Sequence, residues 1–167
     1  MSRAFVKEPD GDQVADDLPD LPVSRHTNYV TPAGLAALRA RRQRLAVEHR
    51  ALAREKAPGA RLRLRQVERD LRYLRARVES AIPIDPAAQP AGEVAFGAVV
   101  TVEDEGGARH RFAIVGEDEA DPKAGKVSWV SPLARALDGA RAGDLVTWRR
   151  PAGDLELEVI AIAYAEA

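Results

Sequence analysis

The chain has 167 residues, 46% of them hydrophobic but only 5% aromatic, and a net charge of −1. That length holds one domain of ordinary size or a small domain with an arm, and the Ala-rich apolar content allows a core but not a large one. With no cysteine, disulfides, thiolate nucleophiles and zinc–thiolate sites are excluded. The opening residues carry acids and no apolar run, so neither a signal peptide nor a membrane span is expected, and a cytoplasmic protein is the default.

The small net charge hides an asymmetry. Residues 1–31 balance at −3, residues 32–81 at +9 and residues 82–167 at −7. A basic arm therefore sits between acidic segments, which suits a polyanionic partner or an acidic protein groove. The plainer reading is a solvated helix surface in a chain that uses Arg rather than Lys.

Residues 1–28 read as a disordered acidic arm, in which Glu8, Asp10, Asp12, Asp16, Asp17 and Asp20 are interleaved with Pro9, Pro19 and Pro22. Residues 29–82 read as an antiparallel helical hairpin with a coiled-coil seam. Thr31 suits the N-cap and Pro32 the first helical position. The first arm carries Leu35, Leu38, Leu45 and Leu52, with Arg42 and His49 in two layers. The second carries Leu64, Val67, Leu71, Leu74, Val78 and Ala81 at alternating spacings of three and four. The turn between them is expected at Lys56-Ala-Pro-Gly59. Residues 83–92, with three prolines counting Pro83, read as an extended linker.

From residue 93 onward the period changes to that of a small antiparallel α+β domain. Val94–Phe96 and Val99–Glu103 read as strands, Gly106-Gly107 as a hairpin turn and His110–Val115 as the partner strand. The run Glu117-Asp-Glu-Ala-Asp121 reads as a solvated acidic loop, since it lacks the Gly and terminal Glu of a calcium loop. Val127–Val130 is a further short strand. Ser131 caps a short helix, Pro132–Leu137. Leu145–Trp148 and a last strand, alternating through Leu155, Leu157, Val159, Ala161 and Ala163, complete the domain.

Enzymatic constellations are scarce. His26, His49 and His110 fall in a tail, a helix and a strand, without metal-ligand spacing. There is no phosphate-cradling Gly-rich loop and no nucleophile elbow. No enzyme activity, cofactor or metal is expected.

Phe96-Gly-Ala-Val-Val-Thr-Val-Glu103, Phe112–Asp121, Val127–Leu137 and Pro151-Ala-Gly153 resemble the Gre transcription elongation factors. Tyr29–Gly34 and Val67–Leu74 agree at the hairpin base, and Met1–Glu8 is similar to GreB-type proteins. The resemblance implies an FKBP-like C-terminal domain that docks on bacterial RNA polymerase at its secondary channel. The implied docking loop is Val130, Ser131, Pro132, Leu133 and Arg135, with Val130 standing where relatives often carry an acid or amide. The implied hairpin enters the channel, and acids at the family's tip help the polymerase hold a second magnesium for RNA cleavage.

The tip departs from that pattern. The family's Gly-Asp-x-x-Glu-Asn-Ala-x-Tyr signature is absent, and the arms are shorter by roughly two turns, about 10 Å of reach. Arg54, Glu55, Lys56, Pro58, Gly59 and Arg61 stand there instead, with one acid among cations. Glu55 reads as an ion-pair partner, with Glu48 as the next acid back along the arm. The expected function is a monomeric elongation regulator that binds polymerase without strong cleavage stimulation. The alternatives are an active cleavage factor, or an inhibitor resembling the regulator of nucleoside-diphosphate kinase. A prolyl isomerase would share the fold but wants an aromatic-lined pocket, and Phe96, Phe112, Trp129, Trp148 and Tyr164 read as core. Weak nucleic-acid contact within the transcription complex, through Arg41, Arg44, Arg61, Arg63, Arg65, Arg69 and Arg72, is the remaining partner reading.

Overall fold

The computed structural model describes residues 18–165; most of the expected acidic arm, residues 1–17, lies outside them. Residues 18–28 form neither helix nor strand, but they end in Asn28, which is buried.

Helix α1 spans Pro32–Leu52. Its start follows from local chemistry: Thr31 is extended and its hydroxyl accepts the Gly34 N–H at 2.9 Å, while Pro32 has no N–H to waste in the first turn. Helix α2 spans Pro58–Ser80. Arg41 reaches Asp70 at 3.9 Å and Glu48 reaches Arg63 at 2.6 Å, so later positions on α1 meet earlier ones on α2 and the helices run in opposite directions. Leu35, Leu38, Ala60, Val67 and Leu74 are buried along the contact. Strand β1 (Tyr29–Val30) and strand β2 (Ile82–Pro83) pair in parallel at the base.

The turn differs from expectation. Pro58 and Gly59 are the first residues of α2, not part of the reversal, which falls on residues 53–57. Proline stops a helix that precedes it but is well placed to begin one, because its fixed φ suits the first turn. The linker also departs from a straight rod: β2 opens it, and Asp85 caps a short helical turn at Pro86–Ala88 by accepting the Ala87 N–H at 2.9 Å.

The remainder is a five-stranded sheet in the order β5-β4-β3-β7-β6. Its strands are β3 (Ala98–Asp104), β4 (Arg109–Val115), β5 (Lys126–Ser128), β6 (Leu145–Trp148) and β7 (Leu155–Tyr164). Helix α3 (Pro132–Leu137) buries Leu133, Ala134 and Leu137 against Val100, Val102, Ile114, Leu157 and Val159. The architecture is α+β, with helices beside a mixed sheet.

Three expectations are corrected here. The sheet is not wholly antiparallel, because β5 pairs in parallel with β4. Residues 116–125 are too long for a hairpin turn, and they carry the chain back so that Lys126 starts beside Ala113. The return is tight at Gly125, whose φ is +69° and where a Cβ would stand 2.7 Å from the Arg111 carbonyl oxygen. Val94–Phe96 is not a strand; Val94 is held by two backbone bonds of 2.8 Å with Ala140 and Gly139 beside an isolated Glu93–Arg141 bridge. In β7 the alternation breaks, since Thr101 pairs with Ala161 but Val102 with Val159. Ile160 is the extra residue of a bulge, so Ile162 and Tyr164 face the core where Ala161 and Ala163 were expected.

Candidate functional site

Two exposed features and one buried joint make up the candidate site. The first feature is the tip. Arg54, Glu55, Lys56, Pro58, Gly59 and Arg61 are all exposed. Glu55 makes no side-chain hydrogen bond or ion pair among the described residues, so it is not the ion-pair partner expected. Glu48 is engaged: Arg63 donates to both its oxygens, Nε to Oε1 at 2.6 Å and Nη2 to Oε2 at 3.0 Å. That fork holds the Glu48 carboxyl below the usual carboxylate range. Among the described residues, no three His, Asp or Glu side chains gather to hold a metal.

The second feature is the turn into α3. Ser131 caps it, its hydroxyl accepting the Ala134 N–H at 3.2 Å, and Pro132 occupies the first turn. Pro132 and Arg135 are exposed and Val130 is half-buried. Leu133 is 3% exposed, so it supports the turn from beneath and offers no free surface. Arg135 lines a cleft with Tyr29, Phe96, Trp129 and Asp138, where the helical arm meets the sheet domain.

The joint was not foreseen. The acids of Glu117-Asp-Glu119 are not a solvated turn; each engages the helical arm. Arg77 of α2 is 1% exposed, and its Nε donates to Asp118 Oδ2 at 2.6 Å. Its Nη2 faces Glu117 Oε2 at 3.7 Å, an ion pair longer than a hydrogen bond. Tyr73 donates its hydroxyl to Asp118 Oδ1 at 2.5 Å. Glu119 accepts the Thr31 and Gly116 N–H groups, each at 3.1 Å, and also the Thr31 hydroxyl.

An apolar contact backs this ionic clasp. Tyr29 packs edge-on to Trp129 with ring centroids 5.1 Å apart and tilts over Phe96 at 6.0 Å. Trp129 and Phe96, expected in the core alone, thus also seat the arm. Burial, and next the bond to Asp118, push the Tyr73 phenol up to about 12. The legible signals were a charged residue three positions after Leu74, beside the seam, and three consecutive acids with no cation among them.

The three histidines stay apart, as their separate elements imply. His49 meets Glu68 at 3.1 Å, His110 meets Asp104 at 2.9 Å, and His26 lies 6.2 Å from the Trp129 ring. No helix among the described residues is long and apolar enough to cross a membrane.

The chain is 35% identical over 153 residues to the transcription elongation factor GreB of Neisseria meningitidis serogroup B, an alignment covering 82% of this chain and 94% of that one. The chain belongs to the GreA/GreB family of transcription elongation factors. The family model described as the GreA/GreB C-terminal region matches residues 89–164. Transcription elongation factor GreA of Alkalilimnicola ehrlichii is 46% identical over 101 residues, covering 59% of this Gre-family chain and 64% of that factor. Among solved structures, GreA factor homolog 1 of Thermus thermophilus aligns at 24% identity over 83% of this chain and 99% of that one, with a TM-score of 0.40. A GreA/GreB factor from Nitrosomonas europaea aligns at 20% identity over 84% and 100%, with a TM-score of 0.41.

Proposed function

We propose that this Gre-family factor binds bacterial RNA polymerase at the secondary channel and regulates elongation without strong stimulation of RNA cleavage. In this reading residues 93–167 are the FKBP-like docking domain, and residues 29–82 are a helical hairpin that enters the channel. Pro132 and Arg135 supply the exposed docking surface, with Ser131 fixing the backbone of the turn. The factor acts as a monomer, is not itself an enzyme, and makes at most weak nucleic-acid contact within the transcription complex.

The observation that carries the cleavage half of this reading is the tip. Supplying carboxylates to a second metal needs oxygens that can converge at ~2.0–2.1 Å. Glu55 stands alone among Arg54, Lys56 and Arg61, and Glu48 is held by both of its oxygens in the Arg63 fork. A shorter, basic tip suits contact with acidic groups in a channel better than it suits metal ligation. Inhibition, as by the regulator of nucleoside-diphosphate kinase, is the favoured alternative sense of the effect, since the same tip would occupy the channel without delivering acids.

Competition binding to purified RNA polymerase against a full-length Gre factor tests the docking half. Displacement by the wild-type chain is expected, with Arg135→Glu about three- to tenfold weaker, the scale of an exposed interface charge. Equal affinities for the two would remove Arg135 from the docking surface, and no displacement would end the channel reading.

A further inference from the structure

A cleft runs between the first half of α1 and residues 118–126 of the sheet domain. Its α1 wall is low, because Ala33, Gly34 and Ala37 line it, with buried Leu38 beside them. Arg41 and Arg44 continue that wall toward the tip, three residues apart and so on one face of the helix. Lys126, the first residue of β5, joins from the opposite wall beside Asp118 and Glu119. The space between the walls is about 340 Å³, within the range of small-molecule sites, roughly 300–1,000 Å³.

The charges around the cleft are unevenly engaged. Asp118 is met at both oxygens, by Tyr73 and by Arg77. Glu119 is taken at both of its oxygens by Thr31, with the Gly116 N–H added. The cations are not matched in this way. Among the described residues the side chains of Arg44 and Lys126 make no hydrogen bond or ion pair, and both residues are exposed. Arg41 lies 3.9 Å from Asp70, beyond hydrogen-bond reach, and Asp70 already accepts from Arg69 at 3.2 Å. The cleft therefore presents three cations with donors to spare, and two acids already held by the clasp.

We propose that this cleft binds a nucleoside triphosphate, with the phosphates between Arg41, Arg44 and Lys126 and the nucleoside against Ala33 and Ala37. A triphosphate packs its charges closely enough for three side chains to share, and a guanidinium suits phosphate oxygens by its forked donors. The low apolar wall gives the flat ring a place to lie. Bound there, the ligand ties α1 to the segment that carries Asp118 and Glu119, so it stiffens the angle between the arm and the sheet domain. The proposal stands on the cleft's own residues and rests on neither polymerase binding nor RNA cleavage.

Titration calorimetry of the full chain with ATP, without polymerase, tests this. Binding is expected, with inorganic triphosphate and adenosine each weaker by about tenfold or more, since each keeps only part of the contacts. Arg44→Gln and Lys126→Gln, both at exposed positions, should each weaken ATP binding about three- to tenfold. Ala37→Met, which raises the wall with a good helix former, should weaken it by a similar factor. Arg149→Gln removes an exposed cation outside the cleft and should leave the affinity within about twofold. No binding at millimolar ATP would overturn the proposal. So would affinity unchanged by both Arg44→Gln and Lys126→Gln, or an equal loss from Arg149→Gln, which would make the attraction one of net charge alone. Inorganic triphosphate binding as tightly as ATP would overturn the assignment to a nucleoside.

Discussion

Arg77 and Asp118 are 41 residues apart in sequence and 2.6 Å apart in space, and the guanidinium between them is 1% exposed. This pair joins the helical arm to the sheet domain. Removing one member strands the other. Arg77→Met should therefore lower stability by about 1–3 kcal/mol, the cost of leaving the partly exposed carboxylates of Glu117 and Asp118 without their cation. The double variant Arg77→Met, Asp118→Leu should recover much of that loss, since a well-packed apolar pair is often as stable as a buried ionic one. Denaturant unfolding of the three chains measures this; additive losses would show that the pair is not coupled.

Tyr73 gives the clasp an alkaline limit. Its phenol is pushed up to about 12 by burial and by Asp118. A free tyrosine ionises near ~10. The folded pKa is raised, so the associated stability is fully present below ~10 and is lost as pH rises through about 12. Tyr73→Phe should remove that loss between those values. Absorbance titration of the phenolates should show one late-ionising group fewer, with Tyr164, also raised by burial, remaining.

Gly34 and Glu119 form a second testable couple. A Cβ at Gly34 would stand 1.9 Å from the Glu119 carboxyl carbon. Gly34→Ala must therefore displace the carboxylate from Thr31 and Gly116. The expected cost is about 1–3 kcal/mol, that of leaving partly buried donors unmet. In a Glu119→Ala background the same change should cost less than half as much, because the obstruction and the bonds are already gone. Equal costs in both backgrounds would place the strain elsewhere.

At the tip, Glu55→Ala should leave polymerase affinity and any residual cleavage within about twofold, as for a surface side chain without partners. A large loss of cleavage would make Glu55 a participant despite its solitary position.

The parts of the fold that were legible in sequence are those set by near neighbours. The Val67 and Leu74 seam follows from helical spacing, and the Ser131 cap from a Ser-Pro pair before an apolar run. The β3–β4 hairpin follows from alternation around Gly106-Gly107. What escaped was set at a distance. The parallel placement of β5 depends on how residues 116–125 fold back, and the Ile160 bulge on a partner strand about sixty residues earlier. The acids at 117–119 looked solvated because their cation, Arg77, lies on another element. Pro58 can end a helix or begin one, and only the side on which the helix lies decides which. The family resemblance rests mainly on the sheet domain and the hairpin base, and it does not extend to the tip.

The most direct test is RNA cleavage in a backtracked elongation complex, with polymerase binding read on the same sample. Binding without cleavage above the polymerase's own rate is the predicted result. Binding with strong stimulation would contradict the account and return Glu55 and Glu48 as metal-directed acids despite the Arg63 fork.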